Sequence, residues 1–362
     1  MNDGGLTYEE SGVADTASAI DGLLGWVNRT LSFRKGRTGD NCLEIGYYAN
    51  VLDLGHGVAL AISTDGVGTK ILIAEMMGRY DTIGIDCVAM NVNDLICVGA
   101  EPVAMLDYLA VEKADPAVLE AIGKGLYAGA AEANISIPGG ELAQLGAMIR
   151  GLAPGKGVDL AGTCIGLVMR GGRILMGQGM EPGDRIVGVA SSGIHSNGLT
   201  LAREALFERQ GLTVNSRPGA LAGSLGEELL TPTRIYVRPA LEMIRNIPGL
   251  RALAHITSDG FLNLLRIPGD YGYQIESLPP TPPIFSLIQE AGEVAPEEMY
   301  RVFNMGIGLC AVVAASEAED VLRICRDHQL PAWLIGRVTD GAREVVIHEV
   351  DLRGRGDRFE RS

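Results

Sequence analysis

The stretch "STDGVGTKILIAEMMGRYDTIGIDCVAMNVNDL", residues 63–95, largely decides how this chain folds and where its chemistry lies. It has the pattern of a strand end, a glycine turn and two apolar helices. Three carboxylates interrupt this pattern: Asp65, Asp86 and Asp94. A carboxylate in apolar surroundings is costly unless it is paired, hydrogen-bonded or bound to a cation. The turn carries residues that suit an anion: Gly66, Gly68 and Lys70. The stretch therefore predicts a site that holds a metal ion and a phosphate together.

The segment "TIGIDCVAMNVNDL", residues 82–95, is expected to place its polar side chains on one side of a helix. At about 100° per residue, Asp86 and Asn93 lie within roughly 20° of each other, and Asp94 lies about 80° from Asp86. Hard cations such as Mg²⁺ prefer oxygen ligands of this kind, with phosphate as a further ligand. A purely structural role as a cap is an equal alternative for any one of these residues. The set as a whole favours a cation beside a phosphate.

The segment "TDGVGTK", residues 64–70, ends a strand and opens a helix. Backbone N–H groups at a helix start form a natural phosphate cradle, and Lys70 adds positive charge. The alternative is a tight turn with a surface lysine. The segment does not match the Walker A pattern.

The segment "SSGIHSNG", residues 191–198, lies between a predicted strand and a predicted helix. Its polar side chains suit phosphate or sugar oxygens and are the predicted substrate-binding set: Ser192, His195, Ser196 and Asn197. His195 and Lys70 are also the candidates for a catalytic role, although a histidine in a turn is more often structural. Polar residues beside glycines elsewhere give weaker candidates: Asn41, His255, Asp259 and Asn304.

Composition limits the class of protein. The 362 residues exceed the size at which one core usually splits into two domains. The 45 acidic and 30 basic residues give a net charge of −15, which argues against broad nucleic-acid binding. The apolar runs are too short to span a membrane, and the first residues lack a secretory pattern. Six scattered cysteines without a C-x-x-C pair predict reduced thiols and a cytoplasmic protein.

Strands and helices alternate along the whole chain, which predicts a mixed α/β (α+β) fold. The glycine-rich segment 171–183 marks a boundary between two domains, residues 1–170 and 171–362. The segment "ISIPGGEL", residues 135–142, is expected to lead into a glycine-rich loop.

Many segments, in order from about residue 8 to 348, resemble phosphoribosylformylglycinamidine cyclo-ligase, also called aminoimidazole ribonucleotide synthetase. They include "YEESGV", "TDGVGTK", "YDTIGIDCVAMNVNDL", "VGAEP", "SSGIHSNG" and "FNMGIG". The resemblance implies a two-domain synthetase fold whose N-terminal sheet pairs with that of a second copy into a dimer barrel. It also implies ATP-dependent closure of an imidazole ring on a nucleotide substrate, with Mg²⁺ as a cofactor. Nucleic acid and membranes are not expected partners.

The resemblance also implies roles for individual residues. Asp65 and Asp94 correspond to the acidic residues around the magnesium of the nucleotide, and Glu141 corresponds to the glutamate of a "GGE" motif. The Gly66–Gly68 turn and Lys70 correspond to the segment beside the triphosphate. The set predicted to bind ATP or phosphate is Asp65, Gly66, Gly68, Lys70 and Asn93.

The chain departs from the family pattern in four segments, one of which is "YEESG", with Glu9 where a lysine is common. "RTGDNCLEIGYYANVLDLGHG", residues 37–57, resembles a metal-binding region of related kinases, so Asp40 is predicted as an extra magnesium ligand. "GGELAQ" and "HITSDG" also differ from the usual motifs. These departures favour an alternative, a related kinase or synthetase with another acceptor. A third alternative is a catalytically silent protein that binds nucleotide, and the retained Asp65, Asp94 and Lys70 argue against it.

Overall fold

The computed structural model describes residues 5–13, 17–168 and 172–362. This part of the chain forms two β-sheets, one of six strands and one of eight strands, with helices packed against them. The first sheet ends at Val168 and the second begins at Arg185. The predicted domain boundary between residues 170 and 171 falls in this interval but lies outside the described residues.

The N-terminal sheet has the strand order β1-β2-β3-β6-β4-β5. Its strands are β1 (Asp40–Asn41), β2 (Asn50–Gly55), β3 (Val58–Gly66), β4 (Glu101–Val111), β5 (Ser136–Gln144) and β6 (Val158–Val168). β6 is antiparallel to both β3 and β4, and β4 is parallel to β5. The carboxyl ends of β3, β4 and β5 therefore meet at one edge of the sheet, where ligands commonly bind in open α/β sheets.

The described residues of the N-terminal half form four α-helices, α1 (Ala17–Thr30), α2 (Lys70–Met77), α3 (Ile83–Cys97) and α4 (Pro116–Ala133), and a short 3-10 helix, Leu31–Arg34. The apolar side chains of α3 pack against β3 and β6, which buries one face of the sheet. α4 begins as its sequence predicts, with the Asp115 side chain accepting the Ala117 N–H and Pro116 in the first turn. It ends at Asn134 in the left-handed conformation.

The other face of the N-terminal sheet is only partly shielded from solvent within one chain. Its side chains are those that alternate with the buried residues along each strand. They include Leu52, Leu60, Ile62, Leu106, Tyr108, Ile165 and Leu167, all exposed or half-buried. An apolar sheet face of this kind marks an interaction surface.

Residues 136–144 form β5, and the chain then enters the expected glycine-rich loop, residues 145–157, before it reaches β6. The pairing with β4 shifts register between Ala104 and Leu106, at the level of the Pro138–Gly139 segment. β5 is an edge strand, where a proline is tolerated because one side of the strand needs no ladder hydrogen bonds.

The C-terminal sheet has the order β14-β13-β12-β9-β11-β7-β10-β8. Its strands are β7 (Arg185–Ala190), β8 (Leu250–His255), β9 (Tyr271–Ile275), β10 (Ile307–Val313), β11 (Ala332–Asp340), β12 (Val345–Ile347), β13 (Leu352–Arg355) and β14 (Arg358–Arg361). Its helices are α5 (Leu199–Arg203), α6 (Leu225–Leu229), α7 (Val237–Asn246), α8 (Pro283–Gly292), α9 (Pro296–Val302) and α10 (Ala318–Asp327). Among the described helices, none combines the length and the apolar character that a membrane span requires.

Candidate active site

The polar side of α3 faces the C-terminal domain. The Asn93 side chain donates to the Arg234 carbonyl at 2.8 Å and accepts the Tyr236 N–H at 3.0 Å. Asp86 lies about two turns earlier on the same side of α3 and accepts the Thr233 N–H at 2.7 Å. The prediction that these side chains share a helical side is confirmed. The partners of the Asn93 amide, however, are backbone groups of the other domain, so this amide is already engaged by protein atoms.

Lys70 is fully buried, with no exposed side-chain surface, so the alternative of a surface lysine is wrong. Its Nζ donates to Asp86 Oδ1 at 2.9 Å and to the Thr231 carbonyl at 2.6 Å. Burial lowers the pKa of Lys70, and the neighbouring Asp86 carboxylate opposes this shift. The ammonium therefore bridges the two domains. Because it already contacts protein oxygens, it is not free to bind a phosphate beside the turn.

Asp94 lies at the carboxyl-terminal end of α3 and is partly exposed. Its Oδ1 lies 2.9 Å from Nδ1 of His255, the last residue of β8. His255 Nε2 lies 3.5 Å from the Asn93 Nδ2 amide, which can only donate. Nδ1 therefore carries the ring proton and donates it to Asp94. His255, a weak candidate from the sequence, orients this carboxylate.

Asp65 is the next-to-last residue of β3, and its carboxyl group is a weaker acid than usual. Burial, then the nearby negative charge of Asp94, raise the pKa of Asp65 from 3.8 to about 6, although the Gly66 N–H and His255 oppose the shift. Two carboxylates that repel each other in a partly buried place are what a cation would stabilise. The residues present at this edge therefore fit a divalent metal ion.

We expect Asp65→Asn to stabilise the ligand-free protein at pH 8. The folded-state pKa lies above the unfolded one, so the contribution of Asp65 to stability is full below about pH 4 and is lost as the pH rises through 6. Asparagine avoids this loss, which corresponds to about 1–3 kcal/mol. Urea unfolding of both proteins at pH 8 and pH 4.5 measures the difference. A variant that is no more stable than the parent at pH 8 contradicts the prediction.

A second carboxylate, Asp107 on β4, lies on the same row of the sheet as Asp65. Both residues pair with Gly162 of β6, from opposite sides, so their side chains share the helix-covered face about 10 Å apart. Burial is the largest cause of the raised pKa of the Cys87 thiol on α3, and the negative charges of Asp107 and Asp65 raise it further. Burial also raises the pKa of Asp107. Sequence reasoning missed Asp107, although it lies within the motif "LDYLA".

Neither of the other two predicted metal ligands lies beside Asp65 within one chain: Asp40 pairs with Asp53 on β2, and Glu141 pairs with Tyr108 on β4. Asp40 is on β1 and Glu141 is on β5, the two opposite edge strands of the six-stranded sheet. Five strand spacings separate them, which is about 24 Å. Across the described ranges, no three His, Cys, Asp or Glu side chains gather closely enough to hold a metal ion. A single chain thus does not bring the four predicted ligands together.

The loop 191–198 is held by protein contacts at several points. The buried His195 ring, on a backbone with φ of 64°, accepts the Ser192 N–H at 3.1 Å and the Arg234 N–H at 3.5 Å through Nε2. Burial lowers the pKa of His195 well below its usual value, so the ring is neutral. Because Nε2 accepts, the proton is on Nδ1. This geometry ties two loops together, and it supports positioning or binding over proton transfer at neutral pH.

The other predicted residues of this loop have different surroundings. The Ser192 hydroxyl donates to the Pro232 carbonyl at 2.6 Å. The Ser196 hydroxyl lies 3.3 Å from Asp86 Oδ1. Within the described residues, Asn197 Oδ1 and His195 Nδ1 are buried without a hydrogen-bond partner. Such atoms need a partner, so a ligand or water at this loop would satisfy them.

The two principal motif loops meet between the domains. Thr69 Oγ1, in the glycine turn of the N-terminal domain, lies 2.9 Å from Thr200 Oγ1 at the start of α5. Gly68 has a φ of 69°, a conformation that favours glycine. The turn 65–70, the loop 191–200 and the Asp94–His255 pair therefore border one interdomain site.

The chain matches two family models over most of its length. Residues 46–168 match the N-terminal domain of AIR synthase related proteins, and residues 181–349 match their C-terminal domain. A phosphoribosylformylglycinamidine cyclo-ligase of Methanothermobacter thermautotrophicus is 48% identical over 344 residues, covering 94% of this chain and 97% of that protein. One of Thermococcus kodakarensis is 49% identical over 335 residues, covering 92% and 95%.

Solved structures share the fold at lower identity. A thiamine-monophosphate kinase from Stenotrophomonas maltophilia superposes with a TM-score of 0.59 at 24% identity, covering 90% of this chain and 95% of that chain. A structure described as AaThiL complexed with AMPPCP and TMP gives a TM-score of 0.63 at 16% identity, covering 96% and 99%. The expected two-domain synthetase fold is confirmed. With both domain models matched and nearly half of its residues shared with full-length relatives, the chain belongs to the AIR synthase family.

Proposed function

We propose that this protein is an ATP-dependent cyclo-ligase that converts formylglycinamidine ribonucleotide into aminoimidazole ribonucleotide, with release of ADP and phosphate. Two features support the proposal. The chain shares 48–49% identity over more than nine-tenths of its length with proteins that carry the cyclo-ligase name. Its turn 65–70 and its loop 191–200 also meet at one site beside Asp94. The first observation carries the choice of substrate.

In the proposed reaction, the γ-phosphoryl group of ATP is transferred to the amide oxygen of the substrate, and ADP leaves. The substrate's own nitrogen then attacks the activated carbon, and the C–O bond breaks with release of phosphate. The Gly66–Gly68 turn supplies backbone donors for the triphosphate. His255 holds Asp94 in place by donating from Nδ1. The loop 191–198 offers Asn197 and neighbouring backbone groups to the substrate.

The carboxylates Asp65 and Asp94 are the proposed holders of Mg²⁺ in one chain. When bound, the ion supplies positive charge that offsets the charge of the transferring phosphoryl group. The raised pKa of Asp65 supports this placement, since its cause includes the repulsion by Asp94. Lys70 and Asn93 enter the proposal as residues that hold the neighbouring loops, because protein atoms already engage their polar groups.

Product analysis tests the proposal directly. Purified protein is incubated with formylglycinamidine ribonucleotide, ATP and Mg²⁺, and both ADP and aminoimidazole ribonucleotide are followed. We expect the two products to appear in equal amounts. ADP without the ring-closed product would favour a kinase or synthetase with another acceptor. Absence of both, from folded protein that still binds ATP, would favour a silent nucleotide-binding protein.

We also propose that the protein is a homodimer joined through the open face of its N-terminal sheet. Leu106 is 52% exposed and Tyr108 is 43% exposed in the single chain, although both lie on β4, an interior strand of that sheet. A second copy packed there would bury this apolar surface. Asp40 and Glu141 lie on opposite edge strands of one chain, so they could contribute to one site only if Asp40 came from the second copy.

Tyr108→Asp is expected to convert this dimer into monomers. The new carboxylate would be buried without a partner at the interface, which is costly enough to outweigh a typical contact. Tyr127→Asp, at an exposed site on α4 on the helix-covered side, is the matched control and should leave the dimer intact. Sedimentation velocity measures both. A parent protein that is already monomeric, or a dimeric Tyr108→Asp protein, contradicts the prediction.

The remaining parts of the proposal concern location and partners. All six cysteines lie among the described residues as free thiols, five of them buried, which is typical of a reducing compartment. A cytoplasmic location is therefore proposed. The proposed ligands are small nucleotides, and the acidic net charge of −15 disfavours nucleic acid as a partner.

A further inference from the structure

Asp86 is a buried carboxylate that receives an unusual number of donors on one oxygen. Its Oδ1 lies 2.9 Å from Lys70 Nζ, 2.7 Å from the Thr233 N–H nitrogen and 2.6 Å from Thr233 Oγ1. The Ser196 hydroxyl lies 3.3 Å away. Neither Asp86 nor Lys70 has any exposed side-chain surface. One atom of the N-terminal domain thus anchors two loops of the C-terminal domain.

Stability alone is a poor reason for such a cluster. Removing two charges from water is costly, and apolar side chains of similar volume usually stabilise a core as well as a buried ion pair does. What apolar side chains cannot provide is an acceptor with a fixed direction. The cluster therefore specifies where Ser196 and Thr233 lie, and with them the loops that carry these residues.

Both loops border the candidate active site. Ser196 belongs to the loop 191–198, and Thr233 belongs to the segment 231–236 that also contacts Asn93, the neighbour of Asp94. The His195 ring links the two, because its Nε2 accepts N–H groups from Ser192 and Arg234. A shift of either loop would therefore move the other, and it would change the distance between the substrate loop and the Asp65–Asp94 edge.

We propose that Asp86 is a positioning residue for the cyclo-ligase reaction, which holds the loops 191–198 and 231–236 in register with the carboxylates of the N-terminal domain through Ser196 and Thr233. Asp86 acts through these residues and contacts no substrate. The functional part of this inference rests on the proposed cyclo-ligase activity, whereas the anchoring itself does not.

Two paired substitutions separate the acceptor from the charge. Lys70→Met with Asp86→Asn removes both charges but keeps an amide oxygen that can accept from Thr233 and Ser196. Lys70→Met with Asp86→Leu removes both charges and the acceptor at similar volume. We expect both proteins to fold with similar melting temperatures. The asparagine pair should keep its KM for formylglycinamidine ribonucleotide within about threefold, whereas the leucine pair should raise it roughly tenfold or more, as expected for lost hydrogen bonds.

The affinity for ATP provides an internal comparison, because the proposed triphosphate contacts lie on the N-terminal domain. Calorimetric titration with ATP should give equal affinity in both paired variants. Equal KM and kcat values for the two variants would overturn the positioning role. If the leucine pair fails to fold, Ser196→Ala replaces it, since this variant leaves the Lys70–Asp86 pair and the Thr233 contacts in place. A Ser196→Ala protein with unchanged KM would likewise overturn the proposal.

Amide hydrogen exchange at Thr233 reads the anchor without any substrate. The Thr233 N–H donates to Asp86, so its exchange should be at least about tenfold faster in the leucine pair than in the asparagine pair. Equal exchange overturns the anchoring. A different outcome is a folded unsubstituted protein that shows no ring closure, while Thr233 still exchanges faster in the leucine pair. That combination would overturn the proposed function and leave the anchoring in place. The two failures are therefore distinguishable.

Discussion

Asp94→Asn is expected to lower ATP turnover by at least about 10³-fold, which corresponds to roughly 4 kcal/mol of lost transition-state stabilisation. The change replaces one carboxylate oxygen by an amide nitrogen, which repels a cation. The fold should survive, because the remaining oxygen can still accept the proton that His255 Nδ1 donates at 2.9 Å. Asp94 is also partly exposed, so no buried charge is left without a partner.

The matched control for Asp94→Asn is Asp81→Asn. Asp81 is a half-exposed carboxylate just ahead of the same helix, and its contact is a surface pair with Arg79. Such pairs contribute little, so turnover and stability should remain near those of the parent. Turnover is measured as ADP release under saturating ATP, and folding is checked by thermal unfolding. An Asp94→Asn protein with parental turnover would show that Asp94 is not a metal-holding residue.

Much of the fold could be predicted from local patterns. The turn at Gly68, the length of α3 and the cap at Asp115 depend on neighbouring residues, and local sequence specifies them. The direction of the polar side of α3 was also predictable from its 100° periodicity. The contacts of that side could not be predicted, because the periodicity is the same whether the partner is a cation or another domain.

The role of Lys70 illustrates this limit. A lysine after a glycine turn is typical of a phosphate site, yet this ammonium lies against Asp86 and the Thr231 carbonyl. The partner that decides the matter, Thr231, is 161 residues away in the chain. His255 was undervalued for the same reason, since its contact with Asp94 crosses the same domain interface. Pairings between distant segments leave little trace in a single sequence.

The predicted metal ligands Asp40 and Glu141 mark a second limit. Their residue types suit a metal ion, but strand order places them at opposite edges of the sheet. Strand order depends on long-range pairing, which the hydrophobic pattern of each strand does not specify. If the proposed dimer forms, the two residues can meet only between chains, and no pattern within one chain encodes that.

Lys70→Met is expected to destabilise the protein by about 3–5 kcal/mol, because it leaves the Asp86 carboxylate buried without its counter-ion. For domains of this size, the melting temperature should fall by roughly 10 °C. The matched control is Lys124→Met, at an exposed position of α4 paired with Glu120, which should change stability by less than about 0.5 kcal/mol. Thermal and urea unfolding measure both variants.

The same substitution also decides between two roles for Lys70. If Lys70 mainly bridges the domains, adding Asp86→Asn to Lys70→Met should restore most of the lost stability, because no buried charge then remains. ATP affinity should recover with it. If Lys70 instead binds the triphosphate, the second substitution should restore stability while ATP affinity stays low. Recovery of both quantities would assign the buried ammonium to the domain interface, and the phosphate to the backbone of the Gly66–Gly68 turn.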